Sequence, residues 1–213
     1  MTLIPQTFPI PQETAIASYN YTDIAEGTGV ITYYGFDAND DTTLDYHLSI
    51  NSSIYAQNKV FTTATTGGGS TKSIDLDFDV IFNLPQRIKG TAYCNITTFV
   101  DSNVTGATSY FFIVKLRKYD GSTESEIVSG QTKSRTNSGN SNVREWTTHL
   151  VPLPITTQVQ FKKGEILRVT IEGWSNRSTG SGNFGFAQDP ANRAEDNADT
   201  TQLQNFIPFI LDI

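Results

Sequence analysis

Asp75, Asp77 and Asp79 occupy alternate positions within residues 74–82. In an extended chain, side chains two residues apart share a face and lie about 7 Å from each other. Glycoside cleavage uses two carboxyl groups about 5 to 10 Å apart. Such pairs, however, come from different strands that line an aromatic cleft. Acids alternating along one strand are what a solvated face carries, and they discourage edge-to-edge pairing. The three are therefore read as a solvated face.

Asp37-Ala38-Asn39-Asp40-Asp41 places oxygen ligands at positions one, three and five, like the start of a calcium loop. The sixth position, which normally needs Gly, is Thr42, and the twelfth, which normally supplies a bidentate acid, is Leu48. A polar turn fits these residues better than a calcium site.

His47 and His149 lie in strand-like runs, with Asp45 on the face of His47, but no Ser stands in a nucleophile-elbow context. Two histidines and one cysteine supply a transition metal poorly. Cys94 has no partner for an intrachain disulfide and reads as a small buried thiol. Gly67-Gly68-Gly69 precedes no helix and carries no following Lys-Ser/Thr, so it is no phosphate loop. Asn-x-Ser/Thr at Asn20, Asn51, Asn95, Asn103 and Asn176 is expected by chance in a chain so rich in these residues. Trp174, Tyr33 and Tyr34 could stack on sugars if exposed, although Trp174 ends a run that looks like core. The expectation is that there are no catalytic, cofactor or metal residues, and hence no enzyme.

The elements that would carry these residues are all strands. Leu44, Tyr46, Leu48 and Ile50 alternate with polar residues, as do Ile74, Leu76, Phe78, Val80 and Phe82. Residues 110–119 form the most hydrophobic run, and Asp120-Gly121 followed by Glu126-Ile127-Val128 signals a hairpin. Alternation on both sides of Lys162-Lys163-Gly164-Glu165 predicts a second one. Residues 131–142 read as an exposed loop or strand end, and residues 175–182 as a polar loop. About ten strands at this spacing, with no helical periodicity, predict a single all-β sandwich over residues 15–213. Pro5, Pro9 and Pro11, set among Leu3, Ile4, Phe8 and Ile10, make residues 1–14 an extended arm that docks at home or on another subunit.

Composition narrows the function. With 11% aromatic and 17% charged residues, the 213-residue chain can bury a sizeable core. A net charge of −7 argues against nucleic acid and against an anionic membrane as partners. No segment has the apolar length of a membrane span, and no basic-then-apolar leader is present, so synthesis in a cytoplasm is expected.

Residues 161–169, Phe-Lys-Lys-Gly-Glu-Ile-Leu-Arg-Val, resemble the late hairpin of trimeric jelly-roll domains of the tumour-necrosis-factor type. Residues 110–124, the closing Ile207-Pro208-Phe209-Ile210-Leu211-Asp212-Ile213 and the opening Leu3-Ile4-Pro5-Gln6-Thr7-Phe8-Pro9 resemble virion proteins of tailed phages. The resemblance implies a jelly-roll β-sandwich in a virus particle. It would be a homotrimeric capsid decoration or minor capsid protein that cements neighbouring coat subunits, the major capsid protein being its partner. A carbohydrate-binding sandwich or a receptor-binding fibre tip, with host glycans as ligands, is the alternative.

Overall fold

In the computed structural model of the chain, the described residues are 28–38, 45–53, 60–66, 69–101, 108–137, 144–177, 182–195 and 197–210. The arm of residues 1–14 lies outside them, as do Asn39–Asp41 of the calcium-like motif and Gly67-Gly68. The described residues form twelve strands: β1 (Thr28–Ala38), β2 (Asp45–Ser49), β3 (Phe61–Thr65), β4 (Thr71–Ile81), β5 (Gln86–Asp101), β6 (Thr108–Tyr119), β7 (Glu124–Gln131), β8 (Arg135–Thr136), β9 (Arg144–Phe161), β10 (Ile166–Arg177), β11 (Asn183–Ala187) and β12 (Leu203–Ile210). No helix occurs among them. The all-β sandwich of jelly-roll type is as the sequence predicts. The short β2, β3 and β8 take the number past about ten.

Hydrogen bonding follows the order β3-β11-β5-β12-β1-β2-β4-β10-β6-β7, with β9 joined to β5 and β8 to β6. Every pairing is antiparallel except a single parallel bridge, His47 to Asp79, between β2 and β4. One layer holds β9, β5, β12 and β1, with β11 and β3 beside the far end of β5. The other holds β4, β10, β6 and β7. β2 spans the gap at one side.

The layers meet through rings. Phe184 and Phe186 of β11 pack on Phe112 of β6, both at 5.7 Å between centroids, and Phe186 reaches Phe78 of β4 at 6.2 Å. Phe82 touches Phe161 at 5.0 Å and Phe209 at 6.0 Å. Leu167, Val169 and Ile171 of β10 are fully buried beneath them. Burying an aromatic or aliphatic side chain of this size contributes about 1.5–3 kcal/mol, so this row contributes strongly to the cohesion of the two layers. Between Phe184 and Phe186, Gly185 lies so close to the Thr62 carbonyl and the Phe99 ring that a Cβ has no room.

Asp120-Gly121 makes the expected hairpin, pairing Tyr119 with Glu124. Gly121 takes a φ of 97°, which L side chains resist. Amide hydrogens of Thr123 and Ser122 donate to the Asp120 carboxylate at 2.7 and 2.9 Å, and hold its pKa down to about 2.

The turn at Lys162–Glu165 is a correction. β9 pairs with β5, whereas β10 pairs with β4 and β6, so the turn crosses between layers and joins no hairpin. Gly164 has the positive φ of 88° that a tight turn requires, but its N–H donates to the Phe82 carbonyl and not within a two-strand loop. Alternation reports that each strand is half-buried and is silent on its partner. A second correction concerns residues 175–182: β10 continues to Arg177, because Ser175, Asn176 and Arg177 pair with Tyr110, Ser109 and Thr108. Sheet pairing overrides the weak strand preference of Ser and Asn.

Candidate functional site

β10 is the central strand of its layer, and its outward residues Arg168, Thr170, Glu172 and Trp174 stand opposite Asp79, Asp77, Asp75 and Lys72 of β4. On the other side they stand opposite Arg117, Lys115, Ile113 and Phe111 of β6. Each acid of β4 therefore meets a cation or a donor. Arg168 grips Asp79 through two bonds, Nε–Oδ1 at 2.8 Å and Nη2–Oδ2 at 2.7 Å. Its Nη1 lies 3.3 Å from Asp77 and 3.4 Å from Glu124. Thr170 donates its hydroxyl to Asp77, and Lys72 lies 2.6 Å from Asp75. These contacts hold the Arg168 guanidinium charged, the Asp79 hydrogen bonds being the leading cause.

Glu172 is 5% exposed. Burial raises its pKa, but Lys115 at 2.7 Å, the Trp174 indole N–H at 3.3 Å and Lys72 at 3.6 Å outweigh that and leave it below the usual range. Trp174 lies parallel to Phe111 at 6.3 Å, so its ring is stacked and half-covered. Tyr33 is buried in the core, while Tyr34 is half-buried on the opposite outer face. The three aromatics do not share a face.

An open groove of about 350 Å³ runs along β4 beside β2, lined by Tyr46, His47, Asp75, Leu76, Asp77, Asp79 and Arg168. Burial, then the charge of Asp37, raises the Tyr46 phenol. The three aspartates thus face a groove, but as acceptors already held by Arg168, Thr170 and Lys72. His47 lies 5.7 Å from the Phe36 ring. His149 lies elsewhere, on β9, bonded to the Thr98 hydroxyl at 3.1 Å, and burial depresses its pKa. The two histidines are not brought together. Among the described residues, no group of three or more His, Cys, Asp and Glu side chains is arranged to hold a metal ion. Asp37 itself is buried at the end of β1. Cys94 is fully buried, which pushes its thiol pKa up.

The opposite outer face has another character, one the sequence reading missed. Its register aligns Pro152 with Tyr93, Tyr93 with Phe206 and Phe206 with Thr32. The next row is Leu150, Asn95, Gln204 and Tyr34, and Val30 stands beside Pro208. Leu150 is 61% exposed, Val30 43% and Tyr93 39%. The outward residues of β9 from Thr148 to Thr156, of β5 from Thr91 to Thr97, of β12 from Gln204 to Ile210 and of β1 from Thr28 to Phe36 include no Asp, Glu, Lys or Arg. The signal in the sequence is Leu150-Val151-Pro152-Leu153-Pro154-Ile155, a run with no polar alternation. Such a run is apolar on both faces.

A two-layered sandwich with one charged and one uncharged outer face is thus the class of protein. No protein family and no characterised protein matches the sequence. The fold is similar to that of an α-amino acid ester hydrolase, at 10% identity over 84% of this chain and 36% of that one, with a TM-score of 0.53. An aminopeptidase from the marine sediment archaeon Thaumarchaeota archaeon aligns at 9% identity over 84% of this chain and 37% of that one, with a TM-score of 0.49. The VP2 subviral particle protein of infectious bursal disease virus aligns at 14% identity over 82% and 44%, with a TM-score of only 0.36. The chain spans about a third of the length of the hydrolase it matches.

The likeness to the α-amino acid ester hydrolase corrects the expectation that the chain is no enzyme. That expectation rested on a missing nucleophile, histidine and acid set. A fold that makes up 36% of a hydrolase can belong to an enzyme without carrying such a set itself.

Proposed function

We propose that the chain is a structural subunit of a virus particle, a homotrimeric jelly-roll protein of the capsid-decoration or minor-capsid kind that cements coat subunits. Residues 15–213 would be the sandwich and residues 1–14 the arm that reaches a neighbour. The observation that carries this reading is the contrast between the two outer faces. A sheet face with no charge and exposed Leu150, Val30 and Tyr93 is suited to burial against another protein. The charge-laced face of β4, β10 and β6 is suited to remain in water and keep acidic particles apart. The likeness of residues 110–124 to virion-protein segments supports the same reading.

The test is the protein content of purified particles. The chain should be found at fixed copy number by mass spectrometry and on the particle by antibody labelling. Removing residues 1–12 should weaken attachment while leaving the circular dichroism spectrum unchanged. Absence from washed particles would sink the reading.

The hydrolase likeness favours a second reading, in which the sandwich serves as one module of a hydrolase. Amino-acid esters would then be the substrates to try, and turnover abolished by His47→Ala would place the chemistry at the β4 groove.

A further inference from the structure

The uncharged face lies on β9, β5, β12 and β1. From strand spacing and rise it measures about 20 Å by 25 Å, or about 500 Å² in projection. That is more than half of the roughly 800 Å² that each partner gives to a standard interface. We infer that its occupant is a second copy of this chain, an inference that rests on the proposed assembly and names the surface through which copies meet.

Charge decides the occupant. The chain carries −7, and none of the outward residues named above on β9, β5, β12 and β1 is an acid. Two copies approaching through the charged face would have to strip water from the ion pairs that Lys72, Lys115 and Arg168 make with Asp75, Glu172 and Asp79. Taking paired charges out of water is costly. Through the uncharged face no such pair is stripped, and the acidic surfaces stay apart. Among the outward residues named above there is no ion with which a partner of opposite charge could pair at the centre of the face.

The composition is also that of an interface centre. Tyr93 and Phe206 form a continuous aromatic row flanked by Pro152, with Leu150 and Val30 beside them. Aromatic residues are enriched and charges depleted at such centres. Asn95 donates to Gln204 at 3.0 Å and the hydroxyls of Thr97 and Thr148 pair at 3.0 Å, so much of the polar capacity on this face is satisfied in place. Polar groups already paired lose less when water is removed.

The experiment is light scattering of the full chain at several concentrations. The parent chain should be an oligomer. Leu150→Lys and Tyr93→Lys should each shift it towards monomer by raising the dissociation constant at least tenfold. Thr91→Lys and Thr156→Lys place the charge at exposed rim positions that any fold tolerates, and they should act in the same direction. Asp77→Asn on the opposite face should leave the mass unchanged. A monomeric parent chain, or an oligomer indifferent to all four lysines, would overturn the inference. A monomer whose particle attachment is lost on Leu150→Lys would assign the face to a coat protein and also overturn it. An oligomer that dissociates as expected but is missing from particles supports the inference and sinks the virion reading.

Discussion

Arg168 and Asp79, directly opposite each other on β10 and β4, are joined by two parallel hydrogen bonds of 2.8 and 2.7 Å. The same guanidinium lies 5.1 Å from the Tyr119 ring centroid and close to Asp77 and Glu124, so one cation serves three acids. Removing the cation should therefore cost more than removing one acid. Arg168→Met is expected to lower stability by about 1–2 kcal/mol, and Asp79→Asn by about half of that, given how little partly exposed pairs contribute. Urea midpoints at low salt would show the order. Much of the difference should disappear in 1 M salt, where the screening length is about 3 Å.

The fold was legible because burial writes a period of two into each strand. Ile74, Phe78 and Phe82 are buried, and Asp75, Asp77 and Asp79 face outward, as the alternation says. Partners were not legible. Nothing local tells Phe161 that its strand pairs with β5, or Ile166 that its strand pairs with β4 and β6. The role of the aspartates was half visible: their face was right, but Arg168 lies 89 residues from Asp79 along the chain. The uncharged face is not legible in the sequence because its signal is spread over four strands, each supplying two or three residues.

Glu172 gives a pH dependence with a defined sign. Its folded pKa lies below the usual carboxylate value because Lys115, Trp174 and Lys72 outweigh the effect of burial. The stability it contributes is complete above about pH 4.5 and is lost as pH falls through the folded value. Stability should therefore decline below that pH, and Glu172→Gln should flatten the decline. Lys115→Met leaves the buried carboxylate with Lys72 at 3.6 Å, and should cost about 1–3 kcal/mol at pH 7. Thermal melts at pH 7, 5, 4 and 3 would measure both effects.

His149 should act in a neighbouring window. Burial and then Arg135 depress its pKa below 6.5, so the folded state prefers the neutral ring. Its contribution is full above the unfolded value and is lost as pH falls through the folded one. His149→Gln should reduce the loss of stability between pH 7 and 5 while leaving the Glu172 window unchanged. Equal slopes for the two chains over that range would refute this assignment.

Asn205 presents the opposite case, a polar group that nothing rewards. It stands between Tyr33 of β1 and Cys94 of β5, is 1% exposed, and neither its Oδ1 nor its Nδ2 has a hydrogen-bond partner among the described residues. Its neighbours offer little: the Cys94 thiol is apolar in behaviour, and burial pushes the Tyr33 phenol up to about 12. Leaving a buried polar group unmatched costs about 1–3 kcal/mol, and an apolar replacement of similar volume recovers part of it. Asn205→Val is therefore expected to stabilise the fold by about 1–2 kcal/mol, seen as a rise in Tm of roughly 3–6 °C for a chain of this size. A fall of the same size would mean that an internal water meets the amide, since a polar pocket large enough for one water supplies the missing bonds. Asn205→Asp separates the two outcomes. A site without water should reject the charge strongly and unfold well below the parent temperature, whereas a hydrated one should tolerate it.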